Sequence, residues 1–241
     1  MRLRPTLLFF TAYAINTSAH EAAHALAAYF LGIRSTLFHF YVTPYFTNDD
    51  PTPRVLVAVA GPLFSLAFGL VCWLLYGKKR LPCLYLAILG ISIFLGNLFS
   101  MSFAGDFGTA ATILNVAPAI RLAITIAALV LVCAFLYVMG RELAKWAPPG
   151  ASRMAATVQM TVLPAVLGTA LVILAFLPLP GQFIIGWIGT SCFWLFTAAG
   201  AFFVSTHRFA GGDLRIRPFD TVAAVAVLVV VRILANGILL N

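Results

Sequence analysis

Two histidines four residues apart, with a glutamate beside the first, stand inside the apolar run "NTSAHEAAHALAAYF" from Asn16 to Phe30. On an α-helix that spacing amounts to about 40° of rotation and about one turn of rise, so the imidazoles of His20 and His24 share a face and can reach one ion. In zinc hydrolases the HExxH pattern supplies two metal ligands. It also supplies a carboxylate, here Glu21, that takes a proton from the attacking water and hands it to the leaving amine. With 4 histidines and two glutamates in 241 residues, such a match arises by chance about 5 times in 10,000. The plainer reading is a pair of histidines hydrogen-bonding between helices beside a buried glutamate. A carboxylate and two imidazoles in an apolar run are accommodated more easily with a cation than without one.

These residues must be positioned by helices in a membrane. The chain is 62% hydrophobic and only 9% charged, with a mean hydropathy of +1.02, far from the composition of ordinary soluble domains. Apolar stretches long enough to cross a bilayer recur at about residues 6–31, 55–76, 81–104, 118–140, 155–178, 182–206 and 219–240. Pro164, Pro178 and Pro180 blur the fifth, which leaves six spans and a re-entrant piece as the alternative. The opening "MRLRPTLLFFTAYAIN" has the basic head of a signal peptide, but its apolar pattern runs on through the histidines, and it is read as the first retained span. Between Gly32 and Arg54, "STLFHFYVTPYF" followed by an Asn-Asp-Pro cluster suits one or two short strands and a turn.

The net charge of +8 follows the loops and not a nucleic-acid-binding face. Arg2, Arg4, Lys78, Lys79, Arg80, Arg141, Lys145, Arg153, Arg208, Arg215 and Arg217 fall on the side of the N-terminus; Arg34, Arg54 and Arg121 fall on the other. The positive-inside rule makes the first side cytoplasmic, and the predicted protein is integral to the lipid bilayer with several spans. Cys72, Cys83, Cys133 and Cys192 form no CxxC pair and read as small packing residues.

A catalytic zinc needs a third protein ligand and an open position. His20 and His24 lie past the middle of the first span, toward the side opposite the N-terminus. Glu142, His207, Asp213 and Asp220 are assigned to the cytoplasmic side. Asp106, at the end of the third span in "GNLFSMSFAGDFG", reaches the same side as the histidines. Asp49, Asp50 and His39 are on that side too, in a loop where they read as solvated turn residues. Asp106 is preferred over these three. Asn16, one turn before His20, suits either a hydrogen bond at the site or a tie between helices. Arg232 suits a substrate carboxylate or, more simply, a snorkelling or structural contact.

Three motifs in order, HExxH in the first span, Gly61-Pro62 in "AVAGPLFSLAFG" of the second, and Asn97 through Asp106 in "NLFSMSFAGDFG" ending the third, resemble the site-2 protease family of intramembrane zinc metalloproteases. The resemblance covers about residues 10–110. It implies a three-helix catalytic core with zinc (Zn2+) held by His20, His24 and Asp106, Glu21 as general base and Asn97 near the reacting carbonyl. It also implies that the 33–54 segment takes up an extended substrate by strand addition. The chain departs from the family pattern at Ser65, where asparagine is usual, at Ser100, where proline is usual, and at Gly105-Asp106-Phe107-Gly108, where Leu-Asp-Gly is usual.

The expectation is therefore an all-α membrane protein, a multi-pass bundle of six to seven transmembrane helices with short membrane-associated strands at 33–54. Residues 1–115 carry the metalloprotease core and 116–241 accessory helices. The expected activity is cleavage of transmembrane protein substrates, with no nucleic-acid partner. The alternative is a non-catalytic, zinc-binding pseudoprotease of the same family. A metal transporter would need further paired carboxylates and histidines along several spans, which the sequence after the third span lacks.

Overall fold

The computed structural model describes residues 3–47, 49–77, 80–178, 188 and 192–240. The chain is mostly helical. Helix α1 runs from Arg4 to Phe30 and is followed by strands β1 (Ser35–Leu37) and β2 (Val42–Pro44). Next come α2 (Pro51–Tyr76), α3 (Leu81–Phe99), a 3-10 turn at Ser100–Ser102, α4 (Gly105–Ile113) and α5 (Pro118–Ala144). Then α6 (Arg153–Thr157) passes through a π-helical turn at Val158–Val162 into α7 (Leu163–Phe176). Helix α8 (Trp194–Phe202), a 3-10 turn at Thr206–Arg208, α9 (Pro218–Leu234) and strand β3 (Ile238–Leu240) complete the described elements.

Among the described residues, four segments are long and apolar enough to cross a membrane: Pro51–Tyr76, Leu81–Ser102, Pro118–Ala144 and Arg153–Phe176. They correspond to the second to fifth expected spans. Their large apolar side chains point outward at many positions, Leu74 and Val130 among them, as suits a lipid solvent. The fifth passes straight through Pro164. That residue lacks an N–H and crowds the carbonyl four residues back, at Met160, which lies within the wider π turn.

The other expected spans fare differently. The first forms a continuous helix of 27 residues, α1, but Asn16, His20, Glu21 and His24 keep it outside the set of strongly apolar helices. Of the sixth, residues 182–187 and 189–191 lie outside the described residues, and α8 lies in the remainder. The seventh is shorter than expected. Helix α9 has 17 residues, and what reads as its apolar continuation is strand β3, because Gly237 turns the chain at φ 76°. The short strands expected at 33–54 are present as β1 and β2, and β3, which the sequence reading did not expect, joins them in a three-stranded sheet of order β2-β1-β3.

The chain divides into two compact units, residues 14–131 with 229–241, and residues 1–13 with 132–228. In the second of these, Gly140 of α5 meets the backbone of Thr197, and Gly200 of α8 meets the backbone of Tyr137, so closely that a Cβ at either glycine has no room. Small residues of this kind allow the near approach on which helix packing in lipid depends. In the same unit Arg4, buried at the start of α1, donates from Nε to Asp220 Oδ2 at 2.7 Å and also contacts the Asp213 carbonyl. The Arg215 backbone N–H, with the Arg217 guanidinium, holds the exposed Asp213 carboxyl below the usual carboxylate range.

The unit of residues 14–131 and 229–241 packs α1, α2, α3, α4 and the sheet. Asp50 caps α2 by accepting from the Thr52 N–H at 2.9 Å, with Pro51 in the first turn. Along α2 the buried positions Val57, Gly61, Ser65 and Gly69 recur every fourth residue and so form one stripe. A Cβ at Gly69 would lie 2.8 Å from the Ile91 nitrogen of α3, and one at Gly90 would lie 2.9 Å from the Ser65 carbonyl. The crossing of α2 and α3 therefore requires both glycines. Asn16 of α1 donates to the Leu86 carbonyl of α3 at 3.3 Å, which is the helix-tying role.

Candidate metal centre

His20 and His24 present their rings side by side from α1, both buried, at a ring-centroid separation of 4.8 Å. Each is held from behind by α2. His20 Nδ1 lies 2.9 Å from Ser65 Oγ, and His24 Nδ1 lies 2.6 Å from the Val57 carbonyl oxygen. Pro62, inside α2, lacks the N–H that would bond the Ala58 carbonyl one turn back. A carbonyl only accepts, so His24 Nδ1 carries the proton. In the neutral ring Nε2 is then a bare lone pair.

Asp106 arrives from a separate element. Helix α3 stops at Phe99, the 3-10 turn follows, Ala104 is extended at φ −168°, and Gly105 takes φ 80° before α4 begins. The positive φ suits glycine, and a Cβ there would lie 2.7 Å from Ser100 Oγ. Thus Asp106 sits in the first turn of α4 and not at the end of a continuous third span. The change of direction aims its carboxylate back at α1.

The three side chains converge. His20 Nε2 and His24 Nε2 are 3.1 Å apart, and Asp106 Oδ2 lies 3.0 Å from the first and 3.5 Å from the second. Tetrahedral ligands on zinc, with metal–ligand bonds of about 2.0–2.1 Å, are about 3.3 Å from one another. Two imidazole nitrogens and one carboxylate oxygen are donors that zinc takes in proteins, and their spacing fits such an ion. Lone pairs facing one another at these distances need a proton or a cation between them. This buried group could hold a metal ion. The Asp106 side chain is 29% exposed against 8% for the histidines, so the cluster is open on the α4 side.

Gly61 explains how space is kept. A Cβ on it would lie 2.8 Å from His20 Nε2 and nearer still to His24 Nε2. The glycine faces the two ligand atoms themselves, where any side chain would compete with an ion. No family model, no curated protein and no solved structure matches this chain. The chemistry of the site therefore rests on its own geometry.

The remaining predicted site residues fall as follows. Glu21 is half-buried and close enough to His20, His24 and Asp106 to interact electrostatically with each. Asn97 uses its side chain on backbone groups: Nδ2 donates to the Ile93 carbonyl at 3.2 Å, and Oδ1 accepts from the Asp106 N–H at 3.3 Å. Of the rival ligands, Asp49 is 98% exposed and pairs with Arg54 at 2.8 Å, and Asp50 is the α2 cap. The reading of His39 as a solvated turn residue is corrected, since it is 2% exposed, yet it stands outside the metal group. Ser65 and the Val57 carbonyl were missed as partners of the ligands. Their signal is the fourfold spacing of Val57, Gly61, Ser65 and Gly69, a stripe too small and polar to be ordinary core.

Proposed function

We propose that this protein is an intramembrane zinc metalloprotease of the site-2 protease kind, which hydrolyses a peptide bond in or near a transmembrane segment of another membrane protein. The observation that carries this reading is the convergence of His20 Nε2, His24 Nε2 and Asp106 Oδ2 within 3.0 to 3.5 Å, with a glutamate adjoining them on α1. His20, His24 and Asp106 would hold the ion. Zinc at such a site supplies Lewis acidity, which polarises a carbonyl and makes water a nucleophile near neutral pH.

The chain's own groups do the rest. The Glu21 carboxylate takes the proton from the water as its oxygen bonds to the substrate carbonyl carbon, then delivers it to the amide nitrogen as the C–N bond breaks. Ser65 and the Val57 carbonyl orient the two rings, and the carbonyl also fixes the tautomer of His24. Asn97 acts as a positioning residue: its bond to the Asp106 N–H supports that role, and the second hydrogen of Nδ2 suits the reacting carbonyl that the resemblance assigns to it. Helix α1 is read as a span alongside the four strongly apolar segments, with a cytoplasmic N-terminus and the site toward the opposite face. The Arg4–Asp220 ion pair supports this topology, because it joins two segments that the charge distribution puts on one side.

The test is cleavage of a model transmembrane substrate by purified protein in proteoliposomes, with and without Glu21→Gln. Turnover should fall by about 10²–10⁴-fold while the ion is retained. Full activity in Glu21→Gln rules out the proposed base. An ion-loaded protein with no Glu21-dependent cleavage is the outcome expected of a non-catalytic relative.

A further inference from the structure

Strand β1 has a partner on each side. Strand β2 follows it in sequence and pairs antiparallel. On the other edge β3 pairs antiparallel with Ser35 opposite Leu240, Thr36 opposite Leu239 and Leu37 opposite Ile238. This sheet is anchored on the motif helix. Leu37, Val42 and Leu240 pack in one cluster with Ala22, Ala25 and Leu234. Ala22 lies inside the HExxH sequence and Ala25 directly follows it. At about 100° per residue, Ala25 stands about 40° from Glu21 around α1, so the strands cover the face next to the proposed base.

What occupies the β1 edge has the form of a substrate. It is an apolar helix, α9, that ends at Leu234, turns at Gly237 with φ 76°, and continues as an extended apolar strand. A protease acting on a transmembrane helix must unwind it into that conformation before the carbonyl can be attacked. The hold on β3 is slight. The ladder spans three residues, and Ile238 and Leu239 are 38% and 58% exposed; of the strand, Leu240 is the residue packed into the cluster. A ladder this short, with one anchoring side chain, opens at low free energy compared with global unfolding.

We infer that β3 is a displaceable occupant of the strand position on β1 at which an extended apolar peptide binds, so that the chain covers its own peptide-binding edge. That the incoming peptide is a substrate rests on the proteolytic reading; the strand position itself does not. Backbone pairing with β1 recognises any extended segment, and the apolar surface of Ala25, Leu37 and Leu234 selects an aliphatic side chain at the place Leu240 now holds.

Gly237 gives a means of releasing β3. A Cβ there would lie 2.7 Å from Phe38 Cε1 and 3.0 Å from Thr36 Cγ2, at a φ that β-branched residues avoid. Gly237→Val in the full chain should therefore undock the strand. The probe is a fluorescently labelled synthetic peptide of the Ala235–Leu240 sequence, with binding read by anisotropy in the uncleaving Glu21→Gln background. Gly237→Val should bind it at least tenfold more tightly than the parent. In a second protein, Thr36→Cys with Leu239→Cys, oxidation should abolish binding and reduction restore it, with Thr36→Cys alone indifferent to either. That comparison uses one folded preparation and decides the matter if Gly237→Val misfolds. Equal peptide affinity in the oxidised and reduced protein overturns the inference. Cleavage of a transmembrane substrate is measured separately in proteins that keep Glu21. Peptide binding that responds without any cleavage upholds the strand position and removes the proteolytic reading. Cleavage with indifferent peptide binding does the reverse.

Discussion

Ser65 Oγ lies 2.9 Å from His20 Nδ1, with both side chains buried and the two residues 45 positions apart in the chain. The hydroxyl can accept a hydrogen bond from Nδ1–H and so leave the Nε2 lone pair facing Asp106, the part a carboxylate or backbone carbonyl plays behind metal-binding histidines. Together with the bond from His24 Nδ1 to the Val57 carbonyl, it orients both rings from one face of α2. The cluster is thus built on α1, backed by α2 and completed by Asp106 of α4, on whose side it stays open.

Ser65→Ala should lower zinc affinity by about 10–100-fold, the range typical of lost outer partners of metal ligands. Ser65→Thr, which keeps the hydroxyl, should stay near the parent value. Competition with a chromophoric chelator measures both. Equal affinity in Ser65→Ala would show that the ring is held by packing alone.

Gly61→Ala should expel the ion while the helices remain. The added methyl carbon meets both Nε2 atoms at less than contact distance, and the backbone of a helix leaves it no other direction. Metal content near background with unchanged circular dichroism is the expected result. A fully loaded Gly61→Ala protein would mean that the ion lies elsewhere.

Arg4→Met should destabilise the protein by about 3–5 kcal/mol, because it leaves the buried Asp220 carboxylate without its guanidinium. Arg4 and Asp220 are each 3% exposed, so solvent cannot take over that role. Denaturant or thermal unfolding in detergent measures the loss, and the ion content of the folded fraction should be unchanged. A negligible change in stability would show that the Arg217 N–H, which donates to the same carboxylate at 2.9 Å, suffices.

Much of the site was legible in the sequence because its residue types are rare in an apolar chain. His20, Glu21 and His24 follow one helical period, and Asp106 is the preferred carboxylate on their side; the structure brings Asp106 to the histidine pair. The four most apolar helices were legible for the same reason, since length and hydropathy alone mark them. The break between α3 and α4 was not, because apolar side chains continue through Phe103 and only Gly105 hints at a turn. Strand β3 was hidden likewise: Ile238, Leu239 and Leu240 extend the hydropathy of α9, and a single glycine ends the helix. Burial of His39 depends on packing that no local pattern encodes. Ser65 looked like a departure from a motif, whereas its short side chain fits the closely packed stripe on α2 and still reaches His20.

The most direct measurement is elemental analysis of the purified protein beside its His20→Ala and Asp106→Ala variants. One zinc per chain in the parent, and background levels in both variants with their helical content intact, is the predicted result. A parent without stoichiometric divalent metal, or an Asp106→Ala protein that binds it as tightly as the parent, would contradict the three-ligand centre.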